Sequence, residues 1–409
     1  MGILHGNAVV GQSGGPTAAI NATLAGVIKG ALFCSDIDVL YGMKNGVEGL
    51  LREDLVDLTA LFEGKEEDLE TLSLTPAAAL GSCRKKLGAP DKDGETYEKL
   101  FEIFKKYNIR YFFYIGGNDS MDTVLKLSEY AKGADYEMRV VGVPKTIDND
   151  LAATDHTPGF GSAAKFVATT VKEFKRDISV YTVKAVTIVE IMGRDAGWLT
   201  AAAALPSVTG DGPDLVYLPE RTFDEEEFIS SLKKALDDHP AVLVAVSEGI
   251  RFSDGRYVGE GTQSGAVDVF GHKYLAGTGK VLEEMVKNRI GCKVRSCELS
   301  LTQRCAAHIA SGTDISESLT IGAAAVKSAA EGSSGVMMIF ERSDGEEYGV
   351  SVRTESIKGI ANEIRKVPAE YINEEGNGIT KEGINYLLPL IKGEISQIYV
   401  DGMPKHYVI

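Results

Sequence analysis

The chain has 409 residues, 44% of them apolar and 25% charged, which suits a globular protein of two domains and excludes a disordered chain. Its net charge of −16 argues against nucleic acid and against an anionic membrane surface as partners, since both would repel it at long range. In chain order, a β-rich run at residues 7–11 leads through glycines into a helical pattern at 18–32. A helix at 97–107, whose Leu100, Ile103, Phe104 and Tyr107 recur at helical spacing, precedes a strand at 110–115, a helix at 121–131 and a strand at 138–143. Next come a helix at 162–176, a strand at 186–191, a helix at 225–237, a strand at 241–246 and helices at 280–287 and 319–330. A strand at 333–341 and a helix at 357–365 close the pattern, while the polar, glycine-rich stretches 251–265 and 342–349 read as surface loops or hairpins. Strands that each end in glycine or polar residues and are followed by helices predict mostly parallel, doubly wound sheets.

Met1 is followed by a short stretch with no basic flank, and nowhere is there an apolar run long enough for export or for crossing a bilayer, so a cytoplasmic location is expected. Cys34, Cys83, Cys292, Cys297 and Cys305 are an odd, scattered set, as reduced thiols are. Cys292, Cys297, Cys305 and His308 lack the close paired spacing of a zinc site.

Several strand ends carry chemistry. Gly11-Gln12-Ser13-Gly14-Gly15-Pro16-Thr17 lies between the first strand and the first helix, where glycines let the backbone approach an anion and the helix turns its positive end toward it. Ile115-Gly116-Gly117-Asn118-Asp119-Ser120 repeats the arrangement at the carboxyl end of another strand, the edge at which open α/β sheets bind ligands. In Pro144-Lys145-Thr146-Ile147-Asp148-Asn149-Asp150 a cation stands close to two carboxylates. One carboxylate can take a proton from an attacking hydroxyl, another can hold Mg²⁺, and the lysine can neutralise a phosphoryl group. Taken on spacing alone, that stretch reads sooner as an exposed Asn/Asp turn with Lys145 solvated. Ile191-Met192-Gly193-Arg194-Asp195-Ala196-Gly197-Trp198, another strand end, Ser247-Glu248-Gly249 and the stretch from Arg295 to Arg304 add arginines suited to phosphate and a glutamate suited to sugar hydroxyls.

Together, residues 14–21, 81–84, 116–120, 144–150, 157–163 and 192–194 resemble, in order, the motifs of the phosphofructokinase family, and the resemblance runs from Val9 to about Asp314. It implies two Rossmann-like α/β domains with the active site in the cleft between them. Residues 1–160 plus about 303–365 would hold the phosphoryl donor, and about 161–302 plus 366–409 the sugar phosphate. The resemblance makes Asp148 the catalytic base. It makes Gly14, Arg84 and Lys145 donor contacts, and Thr146, Met192, Gly193, Arg194, Glu248, Arg295 and Arg304 sugar-phosphate contacts. One of the two last arginines would be lent across a subunit contact in a homodimer or homotetramer.

Relatives that use ATP carry glycine at the positions of Asp119 and Lys145, and relatives that use pyrophosphate carry the aspartate and lysine found here. A carboxylate at 119 would repel a nucleotide's α-phosphate, while the lysine offsets the charge of compact pyrophosphate. Asp119 is also well placed to cap the helix that follows. The implied reaction is reversible, Mg²⁺-dependent transfer from pyrophosphate to the 1-hydroxyl of fructose 6-phosphate, a step of glycolysis and gluconeogenesis. The alternatives are an ATP-dependent enzyme of the same family, a silent sugar-phosphate-binding paralogue, and sedoheptulose 7-phosphate as a second acceptor. Asn118 stands where an aspartate associated with Mg²⁺ is usual, so the metal would rest on Asn118 and, more heavily, on Asp150. Leu301 and Thr302 replace an aromatic or histidine partner, and Ala185 replaces an arginine for which Lys184 is the nearest substitute.

Overall fold

The computed structural model describes residues 4–260, 277–345, 347–359 and 363–409. Its strands, in chain order, are β1 (Gly6–Gln12), β2 (Ile37–Met43), β3 (Leu55–Asp57), β4 (Ile109–Gly116), β5 (Arg139–Pro144), β6 (Ala185–Ile191), β7 (Leu215–Tyr217), β8 (Ala241–Ser247), β9 (Lys293–Glu298), β10 (Val336–Arg342), β11 (Val350–Ser356) and the short pair β12 (Tyr399–Val400) and β13 (Met403–Pro404). β5 and β8 are buried along their whole length, and β4 at every residue but Arg110. Strands covered on both faces need an unbroken apolar run, which is why Val, Ile, Tyr and Phe crowd into these segments.

One sheet has seven strands in the order β11-β10-β5-β4-β1-β2-β3. Its five central strands are parallel, and β3 and β11 close the edges antiparallel. The second sheet, β7-β8-β6-β9, is parallel throughout. Chain order within each sheet demands crossovers through helices on both faces, giving the expected pair of doubly wound α/β units with mostly parallel sheets. The ends of β1, β4 and β5 on one sheet and of β6 and β8 on the other converge on one cavity.

All the expected strands and helices up to residue 330 form, with ends shifted by up to seven residues. The largest extension is the helix Gly312–Ala330, which begins at the Ser311 cap, where the hydroxyl accepts from the Asp314 N–H. The expected strand at 333–341 is β10, and the stretch 342–349 becomes the turn of the β10–β11 hairpin, with Glu346 outside the described residues. Of the stretch 251–265, residues 251–260 form turns and 261–265 lie outside the described residues. The helix expected at 357–365 is corrected. Residues 357–359 form a bend and a turn, Ile364 bridges Leu151, and 360–362 lie outside the described residues. An apolar residue beside a glycine and several charges imitated a helical stripe there. The partner for Ile364 is more than 200 residues away, and no local pattern shows it.

The helix Ile20–Leu32 packs so closely on Gly312–Ala330 that glycines are required at the crossing. A Cβ at Gly322 would stand 2.2 Å from the Thr23 carbonyl oxygen, and one at Gly26 would stand 2.1 Å from that of Leu319. Both obstacles are helix backbone, which cannot swing aside. Gly322→Ala should therefore destabilise the protein by about 2–3 kcal/mol, read as a lower denaturant midpoint at unchanged m-value.

Candidate active site

The cavity holds about 470 Å³ and is lined from both sheets. After β1, the chain turns through Ser13, Gly14 and Gly15. The Ser13 Oγ and the Gly14 N–H both donate to the Cys83 carbonyl at 3.1 Å, and the Ser82 Oγ donates to the Gly14 carbonyl at 2.5 Å. These bonds tie the first glycine loop to the 82–86 loop and bring Arg84 to the cavity. They also engage the Gly14 N–H, so what Gly14 offers is close approach: its φ is +78°, and a Cβ there would stand 3.3 Å from Lys145 Nζ. After β4, Gly117 caps the helix Asn118–Gly133, so the expected capping role of Asp119 is corrected. Asp119 stands in the first turn, where the helix dipole favours a carboxylate, and pairs with Lys86 at 2.8 Å. Asn118 lies beside it on the cavity wall.

The stretch after β5 is the most constrained. Lys145 is buried, and its Nζ donates to the Gly15 carbonyl at 2.6 Å. Burial pulls its pKa down to about 8, although Asp148 and Asp150 oppose that shift. The Thr146 hydroxyl accepts from the Asp148 N–H at 3.1 Å and lies 3.4 Å from a carboxylate oxygen of Asp148, while its carbonyl accepts from Thr157. Burial raises Asp148 above the usual carboxylate range against the pull of Lys145. Asp150 is lifted to about 7, first by burial and then by the charge of Asp148. Two desolvated carboxylates beside one desolvated ammonium make a site that gains from an incoming cation and anion together.

The opposite wall comes from the second sheet. Gly193 has φ +137°, and its N–H donates to Glu248 at 3.2 Å while its carbonyl accepts from the Ser247 hydroxyl at 2.5 Å. The Met192 N–H donates to Gln303 at 3.1 Å. Arg194 enters the cavity with its Nε buried and without a hydrogen-bond partner among the described residues. An unsatisfied buried donor of this kind is costly unless a ligand meets it.

The phosphofructokinase family profile matches residues 7–329 of the chain. The chain belongs to the phosphofructokinase family. A curated relative from Methylococcus capsulatus, named pyrophosphate–fructose 6-phosphate 1-phosphotransferase, is 41% identical, with 98% of this chain and 96% of the relative covered. A relative of the same name from Xanthomonas campestris matches at the same identity and coverage. The crystal structure of the pyrophosphate-dependent phosphofructokinase from Nitrosospira multiformis superposes with a TM-score of 0.88 at 38% identity, covering 98% of this chain and 96% of that one.

Of the residues expected to form the phosphofructokinase site, Gly14, Arg84, Asn118, Asp119, Lys145, Thr146, Asp148, Asp150, Met192, Arg194 and Glu248 line the one cavity, with Gly193 bonded to its wall. Arg304 stands against the first glycine loop, since a Cβ at Gly15 would be 3.3 Å from its Nη1. Its guanidinium is pulled below the usual arginine range by burial and by Arg84. Arg295 is the exception. It is exposed on β9 and borders a separate hollow with Tyr181, Val183 and Lys293. Lys184 also faces away, paired with Asp237.

Lys86, outside the motifs, and Asp195, inside one but given no role, also line the cavity. Lys86 sits two residues beyond the motif arginine. Asp195 follows Met192-Gly193-Arg194 directly, and its carboxylate pairs with Arg251 at 2.8 Å. A charged residue within two positions of a motif arginine was the available signal.

Burial lifts Glu248 to about 8, with Asp148 and Glu190 adding to the shift. A raised folded-state pKa means that the stability present below about pH 4.5 is lost as pH rises through about 8. Glu248→Gln removes that loss. The variant should gain roughly 2–4 kcal/mol relative to the unsubstituted protein between those limits, with no further divergence above them. Melting temperatures of both proteins across pH 4–9 check this.

Proposed function

We propose that the protein transfers a phosphoryl group between pyrophosphate and the 1-hydroxyl of fructose 6-phosphate, giving fructose 1,6-bisphosphate and phosphate. The observation that carries this reading is the buried Lys145 ammonium. It is held by the Gly15 carbonyl and faces Asp148 and Asp150, in a cavity whose other rim carries the Asp119–Lys86 pair. The names borne by relatives at 41% identity support it.

In this reading Arg84, Lys86 and Lys145 bind the donor, and Gly14 lets it approach the backbone. Thr146, Met192, Gly193, Arg194 and Glu248 bind the sugar phosphate, with Glu248 accepting from a sugar hydroxyl or donating to it according to its charge. Asp148, oriented by Thr146, accepts the proton of the 1-hydroxyl as the oxygen attacks phosphorus in line. Arg304, beside Gly15, adds positive charge where the phosphoryl group crosses.

Mg²⁺ fits this cavity. Asp148 and Asp150 are hard oxygen donors whose charges are both disfavoured by burial, and no group of three or more metal-binding side chains occurs among the described residues. Mg²⁺ takes one or two carboxylates and completes its shell with substrate phosphates. Asp150 and the Asn118 carbonyl would hold it, and when bound it would neutralise charge on the donor.

The donor's anhydride bond is close in energy to the product couple, so the reaction runs in both directions and serves glycolysis and gluconeogenesis. We divide the chain into 1–160 plus about 303–365 and about 161–302 plus 366–409; the strands of the seven-stranded sheet fall in the first set and those of β7-β8-β6-β9 in the second, while Tyr407 and Ile409, assigned to the second set, pack against the core of the first sheet. Arg295, turned away from its own cavity, is suited to serve a partner's in a homodimer or homotetramer. No helix among the described residues is long and apolar enough to cross a membrane, and a cytoplasmic location fits this enzyme.

Fructose 1,6-bisphosphate and phosphate supplied to the purified protein with Mg²⁺ should yield pyrophosphate and fructose 6-phosphate. Hydrolysis to free phosphate alone would reject the reading.

A further inference from the structure

Residues 363–367, to which sequence motifs give no chemistry, run directly behind the Asp148-Asn149-Asp150 turn. Ile364 lines the cavity and bridges Leu151. The Arg365 N–H donates to the Asp150 carbonyl at 2.8 Å, and the Arg365 carbonyl accepts from Trp198 Nε1 at 2.9 Å. The guanidinium carbon lies 4.3 Å from the centroid of the buried Trp198 ring, and Nη2 donates to the Tyr386 hydroxyl at 3.1 Å. That hydroxyl donates onward to the Asp155 carbonyl at 2.6 Å. The segment 150–155 is thus bonded at one end to the main chain of Arg365 and at the other to the Tyr386 hydroxyl, and the Arg365 guanidinium joins the two.

The turn needs such a hold. Asn149, wholly buried between the two carboxylates, has a φ of +54°, a region that asparagine enters more easily than most residues, but neither its Nδ2 nor its Oδ1 has a hydrogen-bond partner among the described residues, so its own side chain does not hold the turn. Apolar packing alone would cover Trp198 at less cost than a guanidinium whose Nη1 is buried and unpaired among the described residues. What the guanidinium adds is direction: a cation over the indole face and a donor to one hydroxyl fix the backbone between them.

We propose that Arg365 is a positioning residue for phosphoryl transfer, bracing the Asp148–Asp150 turn from behind through Tyr386 and Trp198. The proposal rests on the roles given to those carboxylates above. It does not place Arg365 in contact with substrate.

The test uses the full chain with Arg365→Met, Arg365→Lys and Tyr386→Phe, assayed with pyrophosphate and fructose 6-phosphate, together with amide hydrogen exchange. The Met and Phe variants should lose about 10–100-fold in kcat while both KM values stay within about threefold. Exchange should quicken at residues 148–155 and not elsewhere in the first sheet. Arg365→Lys, which keeps a cation over Trp198, should recover most of the lost kcat. Unchanged exchange at 148–155 in Arg365→Met overturns the brace whatever the donor proves to be, and so does a kcat equal to that of the unsubstituted protein. If the unsubstituted protein shows no pyrophosphate-dependent turnover while the exchange difference is present, the functional reading fails and the brace stands.

Discussion

Asp148→Asn should lower kcat by about 10²–10⁴-fold while leaving the melting temperature within a few degrees. The substitution keeps the shape of the side chain and can keep the contact with Thr146, whose hydroxyl lies 3.4 Å from a carboxylate oxygen of Asp148. What it removes is the only lone pair in that position basic enough to take a hydroxyl proton. Burial already raises Asp148, and Lys145 is the leading influence holding it down, so the carboxylate is poised as a base without being locked into a strong ion pair. The same change withdraws a stabilising charge from Lys145, whose pKa should fall further below about 8. The residual activity of Asp148→Asn should then decline at a lower pH than that of the unsubstituted enzyme. A loss of less than tenfold in a folded variant would mean that another group takes the proton.

The double change Asp119→Gly with Lys145→Gly should shift the ratio of kcat/KM for ATP to that for pyrophosphate by at least about 10²-fold. A carboxylate about 4 Å from a phosphate costs roughly 4 kcal/mol at an effective dielectric of 20, and 1.4 kcal/mol is a factor of ten. Even a heavily screened remainder therefore gives two orders of magnitude. Loss of Lys145 acts in the same direction under the proposed function, in which that buried ammonium meets the compact charge of pyrophosphate. The structure adds a third participant. Lys86 lines the cavity and pairs with Asp119 at 2.8 Å, so removing Asp119 takes one negative charge from beside it and makes that wall more favourable to the longer phosphate chain of ATP. Adding Lys86→Ala to the double variant should therefore cost ATP more than pyrophosphate. Measured donor ratios for the double and triple variants separate the contributions.

The parallel sheets were legible because their strands are buried on both faces and are written as unbroken apolar runs, as in β4 and β8. β2, β3, β7, β9 and β11 were not read from the sequence. They are short, half-exposed or at sheet edges, where local composition carries little of the pairing. The cavity was legible because glycine loops at strand ends are local in sequence, and the topology then gathers them. The resemblance added the order of the motifs, which spacing alone does not interpret. Arg295 shows where that reasoning stops: its motif is in register, yet its position on β9 turns it away from this chain's own cavity. Lys86, the pairing of Asp195 and the brace at Arg365 escaped because the partners Asp119, Arg251 and Tyr386 are set by the fold, at separations that sequence patterns do not span.

The central claim is the donor, and steady-state phosphorylation of fructose 6-phosphate by the purified protein with Mg²⁺ and either pyrophosphate or ATP tests it most directly. A kcat/KM for pyrophosphate at least about 10²-fold above that for ATP is expected from the charge placed by Asp119 and Lys145. Equal use of the two donors, or a preference for ATP, would contradict it.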